Sequence, residues 1–84
     1  MEFRSNEDIY QFAKKIALEF KEKGDISLFN DIMNALNYGV TASEQLGELR
    51  LVFQHIVAKD KYYSRKNDIE DAIKAINLAF KNRK

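Results

Sequence analysis

Four stretches of this 84-residue chain place apolar side chains three and four positions apart, and no proline interrupts any of them. That spacing lays apolar residues along one side of an α-helix, a side that must be buried against another element. Ile9, Phe12, Ala13, Ile16, Ala17 and Phe20 form the first stripe, on a helix predicted over about 6–23. Phe29, Ile32, Met33 and Leu36 form the second, over about 27–37. Leu46, Leu49, Val52, Phe53, Ile56 and Val57 form the third, over about 42–58, with Leu51 widening the arc; it is the most apolar and is read as the central helix. Ile69, Ala72, Ile73, Ile76, Ala79 and Phe80 form the fourth, over about 68–82.

Punctuation agrees with the period. Ser5 precedes Asp8 by three places, Thr41 precedes Glu44, and Asn67 precedes Glu70. A side-chain oxygen at the first position accepts from free N–H groups of the opening turn, and the acid three places on favours the positive end of the helix dipole. Asp25 or Ser27 is placed to cap the second helix. Gly24 and Gly39 follow apolar-periodic segments, where a left-handed residue ends a helix. Gly47 lies inside the third helix at a cost of about 1 kcal/mol relative to alanine, which suggests close approach by a neighbour. Glu70 and Lys74 stand in the favourable i, i+4 order. No alternating run of β-branched residues sits between turn signals. The chain is therefore predicted to be all-α, a compact antiparallel four-helix bundle forming one domain over residues 1–84.

Little in the sequence suggests chemistry. Cysteine is absent and there is one histidine, His55, with Glu48 as its nearest preceding acid. Thiolate chemistry is excluded, and neither a metal-ligand spacing nor a glycine-rich phosphate loop is present. The carboxylate pairs Glu7-Asp8 and Glu70-Asp71 lie in first helical turns, where dipole complementation accounts for them. The expectation is a non-enzyme without cofactor or metal. The N-terminal residues lack an apolar signal core, and no apolar run reaches the roughly 20 residues of a membrane span, so a cytoplasmic setting is expected.

The formal net charge of +1 conceals a dipolar chain. Residues 25–58 carry Asp25, Asp31, Glu44 and Glu48 against Arg50 alone, a net of −3; residues 59–84 carry eight bases and four acids, a net of +4. Three surfaces follow. The first is the outer face of the second helix, with Ser27, Asn30, Asp31, Asn34, Asn37 and Tyr38, joined by Glu44 and Glu48 of the third. Three asparagines in one short helix weaken it, and breaks in local consistency gather at functional surfaces. A biased, A/T-rich codon usage explains them equally well. The second is Tyr62-Tyr63, in the longest loop: either an interface pair or one ring capping the core with the other over its rim. The third is the basic set Lys59, Lys61, Arg65, Lys66, Lys81, Arg83 and Lys84, which suggests nucleic acid. The interleaved acids, and Glu44 and Glu48 at the start of the third helix, argue against a groove-reading helix.

In length, helix count and the Tyr62-Tyr63 pair ahead of the last helix, the chain resembles the small helical immunity proteins of bacterial toxin systems, such as the colicin nuclease immunity proteins. It departs from them in lacking their strong acidity, in carrying Ser64 where they have proline, and in having Arg65-Lys66 where they have acids. Residues 37–50 look instead like a turn-and-helix signature of small bacterial proteins. The resemblance implies a protein that binds and neutralises a cognate toxin. The expected partner-binding residues are Asn30, Asp31, Asn34, Tyr38, Glu44, Glu48, Tyr62 and Tyr63. The alternatives are a small nucleic-acid-associated regulator using the basic end, and a homodimer built through exposed Leu18, Leu51 and Leu78.

Overall fold

The computed structural model describes residues 2–59 and 63–81. Four helices account for most of them: α1 (Asn6–Glu22), α2 (Ile26–Leu36), α3 (Ala42–Lys59) and α4 (Lys66–Lys81). There is no strand among the described residues. The fold is an all-α four-helix bundle.

α1 starts at Ser5, whose Oγ accepts from the Asp8 N–H at 3.3 Å. The Asp8 carboxylate accepts from the Arg4 N–H at 2.9 Å, one residue before the position a reciprocal capping box would use. The helix ends in a Schellman turn. Gly24, at φ +86°, donates to the Lys21 carbonyl, and the Asp25 N–H donates to that of Phe20 at 2.9 Å. Asp25 then opens α2 by accepting from the Leu28 N–H at 3.1 Å, so it, and not Ser27, is the cap. α3 starts at Thr41, whose Oγ1 accepts from the Glu44 N–H at 3.2 Å.

The third start signal misplaced its helix. α4 begins at Lys66, and Asn67 already lies inside it. The Lys66 N–H donates to the Tyr63 carbonyl and the Ile69 N–H to that of Arg65, so backbone groups ahead of Asn67 make the first turn.

All six predicted stripe residues of α1 are buried, against four on α3. α1, not α3, is thus the helix most deeply set in the core. It buries small Ala13 and Ala17 as well as large residues, which lets neighbours approach closely. The α2 stripe is rotated from the expected one. Leu28, Ile32 and Ala35 are buried, while Phe29, Met33 and Leu36 flank the core. On α3, Leu46, Leu49, Phe53 and Ile56 are buried; on α4, Ile69, Ala72 and Ile76. Phe3, ahead of α1, packs edge-on against Phe12, with centroids 5.3 Å apart, and Phe12 packs edge-on against Phe53 at 6.0 Å. A row of three rings therefore ties the N-terminal segment to α1 and α3.

Helix directions follow from which residues meet. Lys21 lies over the Phe29 ring near the α1–α2 turn, while Tyr10 and Leu36 border one cleft at the other end, so α1 and α2 are antiparallel. Arg50 donates to the Asn77 side chain, and Val57 shares a groove with Glu70, so α3 and α4 are antiparallel. α1 and α4 close at their ends. Arg65 donates through Nε and an Nη to both Glu19 oxygens, at 3.2 and 3.0 Å.

Candidate functional site

The rotation of the α2 stripe decides what that helix offers to solvent. With Leu28, Ile32 and Ala35 inward, Ser27, Asn30, Asp31, Asn34, Asn37 and Tyr38 are all exposed. Asp31, Asn34 and Tyr38 recur at spacings of three and four and form one ridge. Glu48 and Val52, four apart on α3, face that ridge. Together with Ala35 these residues line an open groove of about 200 Å³ between the two helices. Ala35 and Val52 give it an apolar lining; Asp31, Asn34, Tyr38 and Glu48 give it a polar rim. Tyr38 is 50% exposed.

Arg50, two residues from Glu48, is turned away from the groove. Arg50 bonds Asn77 at 2.9 Å, and its guanidinium lies 4.8 Å from the centre of the Phe80 ring, on the α4 side of α3. Asp31 and Glu48 make no hydrogen bond or ion pair among the described residues. Two carboxylates with no paired cation among the described residues, beside a half-exposed tyrosine, form a surface complementary to a basic partner.

The other expected positions fall differently. Asn30 is exposed on α2 but does not line the groove. Glu44 is exposed, yet its carboxylate accepts from the Thr41 hydroxyl at 3.0 Å and lies against the Gly39 turn. Its role in the structure is to complete the start of α3. Tyr62 lies outside the described residues. Tyr63 is 8% exposed and packs on Phe20 at 5.1 Å between centroids, with the Lys23 ammonium 4.7 Å from its ring centre. It closes one end of the core and offers no surface to a partner.

Sequence reasoning missed Val40, which is 94% exposed one residue beyond Gly39 and two beyond Tyr38. The signal was available: an apolar β-branched residue between a left-handed glycine and a helix cap has no stripe to join. Ala35 and Val52 were also missed as groove lining, because a residue that closes the core also forms the bottom of the cleft beside it.

His55 is exposed on α3. In the basic set, Arg65 is held by Glu19 and lies 3.9 Å from Asp68, so its charge is compensated within the fold. Lys61, Arg83 and Lys84 lie outside the described residues. No described helix is long and apolar enough to cross a membrane.

Comparison with family models, curated proteins and solved structures gave no match.

Proposed function

We propose that this chain is a small non-catalytic protein-binding module, an immunity- or antitoxin-like inhibitor of a bacterial toxin acting in the cytoplasm. The observation that carries the reading is the groove between α2 and α3, where Asp31, Asn34, Tyr38 and Glu48 meet with no cation paired to the carboxylates among the described residues. A basic toxin surface is steered by the two carboxylates and held by the tyrosine, whose ring gives rigid contact area with a polar tip. Inhibition is steric: a body of four packed helices covers the toxin's working face.

The combined Asp31→Ala, Tyr38→Ala and Glu48→Ala variant tests this. In pull-downs from the native host at low salt, it is expected to lose the partner that the wild-type chain retains. With that partner purified, association is expected to slow by about tenfold or more as the steering charges are removed. Equal capture and equal association rates for the two chains would refute the reading.

A further inference from the structure

The side of α3 facing away from this groove carries a second one, between α3 and α4. Gln54, Val57 and Ala58 form one wall; Glu70, Ile73 and Lys74 form the other, enclosing about 300 Å³ of open, mainly apolar space. At about 100° per residue, Gln54 and Val57 project from the far side of α3 relative to Glu48 and Val52, with Ala58 between the two sides. Leu51, 57% exposed, lies one turn before Gln54 and two before Ala58 on the same side and extends the apolar strip.

Glu70 and Lys74 stand four apart in the order that favours a helix-surface ion pair, yet the structure contains no such pair. An acid and a base therefore flank one apolar strip, each without a partner among the described residues. They lie two positions either side of Ala72. If two α4 helices cross antiparallel about a two-fold axis at the level of Ala72, each Glu70 meets the Lys74 of the other copy. Both charges are matched twice by one operation, and Ile73 packs on Ile73 between them. A two-fold interface needs this self-complementarity, and a single-sign patch lacks it.

We propose that the α3–α4 groove is a homodimer interface, with a second copy of this chain as its occupant. Exposed ion pairs are worth little each, so a dimer specified by two of them is transient and forms at high protein concentration. It weakens with salt because its specificity comes from two ion pairs. The α2–α3 groove stays free in both copies, which makes the dimer bivalent for any partner bound there.

The test is sedimentation velocity from about 0.05 to about 1 mM, a range suited to weak association. Wild type is expected to move from monomer toward dimer. Glu70→Lys alone and Lys74→Glu alone each set like charges opposite one another and are expected to weaken association by about tenfold or more. Mixing these two variants should give a heterodimer, and the double reversal E70K/K74E should restore the homodimer. Circular dichroism checks that helix content is kept. If a reversal disturbs folding, Glu70→Gln and Lys74→Gln replace it and are expected to weaken association less than the reversals do. A wild-type chain that stays monomeric throughout would overturn the proposal. So would single variants that self-associate like wild type, or a mixture that stays monomeric. None of these variants touches Asp31, Tyr38 or Glu48, so the result is independent of partner binding at the other groove.

Discussion

The Tyr10 hydroxyl is buried and has no hydrogen-bond partner among the described residues. Such a group forfeits its hydration without recovering a bond, which costs about 1–3 kcal/mol. Tyr10→Phe removes the group and keeps the ring. It is expected to leave the protein as stable or to stabilise it by about 1 kcal/mol in urea unfolding; a clear loss would mean that the hydroxyl has a partner. Desolvation, then the Glu7 charge, pushes the Tyr10 hydroxyl above its ordinary value of 10.0. The folded chain thus holds this proton where the unfolded chain releases it. The resulting stability is full below 10.0 and is lost as pH rises toward and through the raised value of the folded chain. Denaturation from about pH 8 to about pH 11 should show a smaller alkaline loss for Tyr10→Phe than for wild type. Tyr38 and Tyr63 sit in opposite surroundings. Tyr38 follows a helix end on a polar face, whereas Tyr63 fills a gap beside Phe20. A Tyr-Tyr pair in a charged loop carries no period, so the sequence left open which ring is buried.

Among elements, α3 shows both what could be read and what could not. Its apolar residues and its Thr41 start were legible because period and cap chemistry are local. The meaning of Gly47 was not. A methyl group there would stand 3.9 Å from the Phe80 ring, an ordinary contact, so close approach does not demand glycine. Gly47→Ala is expected to raise stability by about 0.5–1 kcal/mol, seen as a higher thermal midpoint; a lower midpoint would show that the backbone needs glycine. The stripe of α2 was misjudged for a related reason. Leu28, Phe29, Ile32, Met33, Ala35 and Leu36 form an apolar arc broad enough to turn either way. The choice of Leu28, Ile32 and Ala35 as its centre depends on where α1 and α3 sit. α4 started two residues earlier than its polar signal implied, and Arg65, whose carbonyl accepts in its first turn, is held by Glu19, 46 positions away. The α2–α3 groove was half legible. Asp31, Asn34, Tyr38 and Glu48 were named from the sequence, but so were Glu44, held at a cap, and Tyr63, held in the core.

For the whole molecule, most packing joins each helix to its predecessor, and the first and last helices are fastened at their ends. At one end stands the Glu19–Arg65 fork, with side chains 25% and 38% exposed. A double-mutant cycle with Glu19→Ala and Arg65→Ala is expected to give a coupling of about 0.5–1 kcal/mol, reduced by salt, since water still reaches the pair. A coupling of zero would show that the fork leaves no mark on stability. Asp25 has a different reach. Its amide finishes one rod and its carboxylate begins the next, so only Lys23, Gly24 and Asp25 itself lie between the two. One residue thus sets both where the first rod stops and where the rod carrying Asp31 and Asn34 starts, so a change at Asp25 would disturb the two together.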